Sequence, residues 1–150
     1  MKINYQNIFL LSLLVGLLGC PHKEVYKPVD RANYLISGIK ITPVDVFYNS
    51  HKGVATCGVN LRFNNQNDSV QKVTFSKSYL INLGGTLKIQ NIYAWMVPLP
   101  IVHVFNLPSK KDTTLQFMFK DLERNFGDTI KVILNVSGVG EKIFIYKKAK

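Results

Sequence analysis

Two cysteines and three histidines carry most of the reactive potential of this 150-residue chain. A thiol becomes a nucleophile when a base lowers its pKa or takes its proton. Cys57 and His51 are the one such pair close in sequence. Their spacing fits no established motif, and Cys57 falls on the apolar face of an alternating run, where a buried, inert thiol is expected. Asp121 and Glu123 beside Arg124 read as a solvated loop. The chain contains no His-Glu-x-x-His, Gly-x-Ser-x-Gly, Cys-x-x-Cys or Gly-rich phosphate loop. The sequence therefore predicts a non-enzymatic protein with no metal site and no cofactor.

Cys20 stands in a different setting. Lys2 precedes an apolar run from Ile8 to Leu18, interrupted only by Ser12, and small Gly19 comes directly before the cysteine. This is the charged, apolar and small-residue order of a secretory signal. A membrane-spanning helix needs ~20 apolar residues, and this run reaches about half of that length.

Leu17-Leu18-Gly19-Cys20 resembles the lipobox of bacterial lipoproteins. The resemblance covers residues 1–20. It implies that residues 1–19 are a signal peptide, that Cys20 carries lipid, and that the protein is held on a membrane of the cell envelope. More than one acyl chain makes such an anchor durable, at ~0.8 kcal/mol per buried CH₂. Among these lipoproteins, Asp after the cysteine favours inner-membrane retention in many bacteria. Pro21 occupies that position, so the resemblance leans towards the outer membrane.

Residues 20–32, polar and marked by Pro21 and Pro28, read as a lipidated tether. Fully extended, a dozen residues reach on the order of 40 Å. With Cys20 committed to lipid, no disulfide framework remains, and residues 33–150 must fold around a hydrophobic core.

The chain holds 19 Lys and Arg against 9 Asp and Glu, a net charge of +10. Such a balance suits acidic partners. An exported protein meets anionic lipid or glycan rather than nucleic acid, and no nucleic-acid partner is expected. Many lysines are isolated between apolar residues, as on the solvated faces of strands.

Period-two alternation dominates from residue 33 onward. Cys57, Val59, Leu61 and Phe63 share one face, as do Leu115, Phe117 and Phe119, and Ile130, Val132, Leu134 and Val136. Turn clusters at 49–53, 64–69, 84–85, 108–112 and 138–141 separate the runs. Residues 121–127 are the one helical candidate, of one or two turns. Seven or eight short strands predict an all-β, antiparallel β-sandwich, with a small β-barrel as the alternative. The stretch 54–136 resembles the immunoglobulin-like domains of bacterial exported proteins. The likeness rests on the Val59–Asn65 strand before a Gly-marked hairpin and on the loop from Leu107 to Leu115.

Residues 93–105 form an apolar run with one histidine and no charge. Pro98 and Pro100 prevent one continuous central strand. Two readings stay open: a crossing that closes one end of the core, or an exposed rim formed by Tyr93, Trp95, Met96, His103 and Phe105. Asp68-Ser69-Val70, Asp112-Thr113-Thr114 and Asp128-Thr129-Ile130 resemble sites that one group of bacteria O-glycosylates, with Ser69, Thr113 and Thr129 as acceptors. The sequence thus describes a lipid-anchored interaction or assembly module with an envelope protein as partner. A binder of a small apolar or anionic ligand, lipid or glycan, and an enzyme with an unrecognised site are the alternatives.

Overall fold

Alternating residues put one face of each strand in a core and leave the other to solvent. The computed structural model describes residues 22–30, 33–51, 54–83, 85–99, 104–121, 126–137 and 140–150, and most of its strands follow this rule, with residues 132–134 buried on both faces. Twelve strands are present among them: β1 (His22–Pro28), β2 (Tyr34–Ile36), β3 (Ile39–His51), β4 (Val54–Asn65), β5 (Gln71–Thr74), β6 (Tyr79–Asn82), β7 (Gly85–Ala94), β8 (Val97–Pro98), β9 (Val104–Leu107), β10 (Asp112–Asp121), β11 (Thr129–Val136) and β12 (Gly140–Lys148).

The main sheet does not split into two layers. It runs β1-β12-β11-β6-β7-β10-β4-β3, and β3 then pairs with β1. The ring closes as an eight-stranded antiparallel barrel. The sandwich expectation is corrected to the small β-barrel. Alternation reports which face is buried, and both architectures bury one face of every strand.

The strand that closes the ring lies where a tether was expected. β1 pairs along one edge with β3, His22 opposite Ser50 to Tyr26 opposite Val46. Along its other edge Tyr26–Pro28 pairs with Tyr146–Lys148 of β12. β2 continues on the same edge of β3, opposite Ile39–Ile41. Residues 22–28, expected as part of a tether, are thus a strand of the barrel. Pro43 sits where the β3–β4 register shifts, a bulge of the kind that bends strands into barrels.

The interior is aromatic-rich. Tyr26, Tyr48 and Tyr146, with Phe63, Phe75, Phe117, Phe119 and Phe126, are the largest fully buried side chains. One end is closed by the small β5–β9 sheet. It brings Phe75 edge-on to Phe117, with ring centroids 5.0 Å apart. Asn65, fully buried, fastens this cap. The two N–H groups of its Nδ2 are shared among the carbonyls of Ser69 (2.9 Å), Leu107 (3.2 Å) and Pro108 (3.1 Å), while its Oδ1 accepts from the Asn67 amide. At the opposite end Phe126 stacks on Tyr48, 4.3 Å between centroids.

On the outer wall Gly58 faces the Phe47 ring, and a Cβ there would fall 2.2 Å from ring carbons. The hairpin expected at 84–85 is present, with Gly85 already paired to Asn82 in the strand. Of the helical candidate, Asp121 ends β10 and Phe126–Gly127 is not helical, while residues 122–125 lie outside the described ones.

Two predictions follow from the buried polar groups. Asn65→Ala should lower unfolding free energy by about 2–4 kcal/mol, because one buried and two part-buried carbonyls lose their donor. Asn65→Asp should be at least as damaging, since a carboxylate would face those carbonyls. Urea denaturation reads both.

The tyrosines provide the second. The Tyr26 hydroxyl donates to Glu24 Oε2 (2.8 Å) and the Gly127 carbonyl (2.9 Å) as alternative acceptors. The buried Tyr146 hydroxyl has no hydrogen-bond partner among the described residues. Burial holds both phenols well above their usual value of 10.0, for Tyr26 helped by Glu24 and for Tyr146 by Asp45. Their contribution is complete below pH 10 and is lost as pH rises, because the unfolded phenols ionise first. Stability should fall above about pH 10, less steeply in Tyr146→Phe. At pH 7 Tyr146→Phe should be neutral or stabilising, and Tyr26→Phe should cost about 1 kcal/mol. Unfolding curves at pH 7 and 10.5 check both statements.

Candidate functional site

β7 and β8 form a two-residue hairpin in which Ala94 pairs with Val97. Trp95 and Met96 occupy its tip, with φ of 52° and 65°. Two consecutive positive φ angles are the pattern of a type I′ turn, which favours Asn-Gly. The β2–β3 turn reaches the same conformation with Ser37 and Gly38, at 50° and 74°. Trp95 and Met96 have none of glycine's freedom, and bulky residues are strained there. Both are also far out in solvent, 81% and 95% exposed, and Val97 beside them is exposed too. The open question about residues 93–105 is therefore answered differently along its length. The tip is an exposed rim, whereas Leu99 and Phe105 pack against the core. His103 lies outside the described residues.

The hairpin overhangs the outer wall of the barrel. Register places Asp45, Asn60, Gln116 and Tyr93 in one row across β3, β4, β10 and β7. Thr42, Arg62 and Thr114 form the next row, and Lys40, Asn64 and Asp112 the third. Hydrogen bonds fix several members. Asn60 Nδ2 donates to Asp45 Oδ1 (2.7 Å), Gln116 Nε2 to Asn60 Oδ1 (3.1 Å), and Asn64 Nδ2 to Asp112 Oδ1 (2.7 Å). A depression of about 310 Å³ lies between Asn60, Thr114, Gln116, Tyr93 and the hairpin tip. A second, of about 510 Å³, is lined by Lys40, Arg62, Asn64 and Asp112 among others. Arg62 and Thr114 are register neighbours, so the two depressions adjoin. Sequence reading found Tyr93 and Trp95 but missed this wall. Its residues are spread over four strands, and only the register aligns them.

The other candidates are placed apart. Cys57 is fully buried, opposite Tyr48 and Phe119. His51 pairs with Val54, about 10 Å along the strand from Cys57 at ~3.3 Å per residue. Thr113 is 5% exposed and faces the core, which removes it as an O-glycosylation acceptor. Ser69 and Thr129 are exposed. Cys20 lies outside the described residues. Among those residues, no three His, Cys, Asp or Glu side chains are grouped to hold a metal. No family model, curated protein or solved structure matches the chain.

Replacing Trp95–Met96 by Asn-Gly should relieve the turn and stabilise the fold, by about 1–2 kcal/mol. Thermal denaturation against the parent protein tests this. A lower melting temperature in the double variant would show that the tip residues support the fold rather than strain it.

Proposed function

We propose that the protein is a non-enzymatic, lipid-anchored module of the cell envelope that stands on its membrane and presents the Trp95–Met96 hairpin outward. The strained, solvent-exposed hairpin carries this reading. Apolar side chains held in an unfavourable turn, away from any core, are more easily explained by a contact than by folding.

The fold also supports an orientation. β10 runs from the capped end, Asp112 opposite Asn64, to the other end, Asp121 opposite Ala55. Trp95 follows Ala94, which pairs with Leu115 near the capped end. β1 starts at the other end, with His22 opposite Ser50. Only Pro21 separates Cys20 from β1. A lipid on Cys20 would therefore hold the uncapped end within roughly 10 Å of the headgroups.

Lys147, Lys148 and Lys150 flank a shallow depression at that same end, and Lys23 is exposed beside them. Basic side chains near an anionic leaflet add ~1 kcal/mol each. The hairpin then faces away from the bilayer, about 15 Å further along the barrel axis, by the six residues from Leu115 to Asp121 on tilted strands. Outer-membrane attachment, with Pro21 following Cys20, completes the reading.

Photo-cross-linking in the producing bacterium tests it, with benzophenone placed at Met96 or at Lys147. The Met96 probe should give a discrete heavier adduct with an envelope component. The Lys147 probe should give lipid adducts only. Failure at Met96, or the same adduct from both positions, would overturn the proposal.

A further inference from the structure

We infer that the outer wall beneath the hairpin binds a chain of neutral pyranose rings, with Trp95 and Tyr93 as stacking platforms and the Asn60–Gln116 and Arg62–Thr114 rows as hydroxyl-binding groups. The inference rests on the reading of the hairpin as a contact surface and names the chemistry of what it touches.

A sugar ring offers two kinds of surface. Its C–H faces are weakly apolar and lie well on an aromatic ring, while its rim is a set of hydroxyls that both donate and accept. A site for it needs exposed aromatic rings beside planar polar groups held in place. The wall has this combination. Trp95 is 81% exposed, and Tyr93 is half-buried one register step from Gln116. Both border the same depression as Asn60, Thr114 and Gln116.

The polar groups are ordered but not exhausted. An amide has two N–H donors and an oxygen with two lone pairs. The Gln116 amide uses one donor on Asn60, and Asn60 uses one donor on Asp45. The mutual bonds fix the planes and leave the remaining donors and acceptors for a ligand. Preorganisation of this kind lowers the entropy lost on binding. Arg62, exposed in the adjoining row, makes no ion pair among the described residues. Its planar fork of donors can span two neighbouring hydroxyls.

Charge and shape favour a neutral sugar chain over other occupants. Lys40, Arg62 and Lys27, the last ion-paired with Asp45 at 3.7 Å, are interspersed on the same wall with Asp45 and Asp112. Such a mixed surface suits hydroxyls better than a run of phosphates. A protein interface would want an apolar centre, and the middle of this wall is made of Asn, Gln, Thr and Arg. From β3 to β7 the wall spans roughly 14 Å at ~4.8 Å per strand. That is room for more than one ring, so affinity should grow with chain length.

Trp95 is the one tryptophan in the chain, and its emission reports on the site directly. The full mature chain is titrated with an N-acetylglucosamine tetramer, the monosaccharide, and a galacturonic acid tetramer as acidic control. The neutral tetramer should shift or quench the emission saturably, with the monosaccharide at least about tenfold weaker. Gln116→Ala and Arg62→Ala should each weaken tetramer binding about five- to tenfold, as loss of one hydrogen bond does. Thr129→Ala, at the far end of the barrel, should leave it unchanged.

Calorimetry on Trp95→Ala should show no binding while the unfolding curve stays cooperative. No saturable response to the neutral tetramer would overturn the inference. So would equal affinity in Gln116→Ala, or binding of the acidic tetramer alone through Arg62. The two proposals fail separately. A Met96 cross-link without sugar binding keeps the contact surface and removes its ligand class. Sugar binding without a cross-link keeps the ligand and removes the envelope contact.

Discussion

The whole architecture depends on β1 pairing along both of its edges. Without it, β3 and β12 would each present a row of unpaired amides and carbonyls, a template for pairing with other chains. With it, the sheet has no free edge around the ring. The union is secured by side chains as well as by the ladder. Glu24 on β1 is ion-paired with Lys148 on β12, and its carboxylate accepts from the Tyr26 hydroxyl. Tyr26 is also the one fully buried side chain that β1 contributes to the described core. A single short strand with one core residue thus converts an open sheet into a closed one.

Closure also decides what the interior can do. Side chains fill an eight-stranded barrel unless small ones line it. Here phenylalanine and tyrosine point inward from β1, β3, β4, β10 and β12, and Phe75 enters from the cap. The polar chemistry is displaced to the outside, where β3, β4 and β10 present Asn, Gln, Thr and Arg. Position on that wall is set by register. Cross-strand neighbours in the three rows that meet there are 15 to 56 positions apart in sequence. The rigid barrel acts as their scaffold, and no loop is needed to bring them together.

This explains what the sequence made legible. Alternation in Cys57–Phe63, Leu115–Phe119 and Ile130–Val136 marks the inward faces correctly, because each has apolar residues at strict two-residue spacing. The turn clusters around 49–53, 64–69 and 108–112 also separate strands as read. β1 was hidden because Lys23, Glu24 and Lys27 dilute its pattern and Tyr26 alone is fully buried. A polar strand with a proline at its end looks like a linker until both its neighbours are known. Asn65 was absorbed into a turn-forming cluster, since its burial depends on carbonyls 42 and 43 residues away. For the site, sequence singled out Tyr93 and Trp95 as apolar residues needing an explanation. It could not align them with Asn60 and Gln116, because cross-strand partners follow from pairing and not from proximity in the chain.

The hairpin shows how local rules can locate a site when a motif does not. Among the described residues the chain adopts the same positive-φ pair twice. At 37–38 it uses glycine for the second position, in keeping with the turn's stereochemistry. At 95–96 it uses two of its bulkiest residues and exposes both. Folding alone would favour the first solution in both places, since each non-glycine residue at positive φ costs on the order of 1 kcal/mol. Nor does the core offset that strain, because the Trp95 and Met96 side chains are almost wholly solvent-exposed. On the proposed reading, the compensating interaction lies outside the barrel. What stands next to the tip is a wall of ordered amides whose bonds among the described residues leave donors and acceptors over. The disagreement between turn chemistry and residue choice therefore marks the same surface that the register assembles independently. On the proposed reading, that coincidence makes the wall and the hairpin one site.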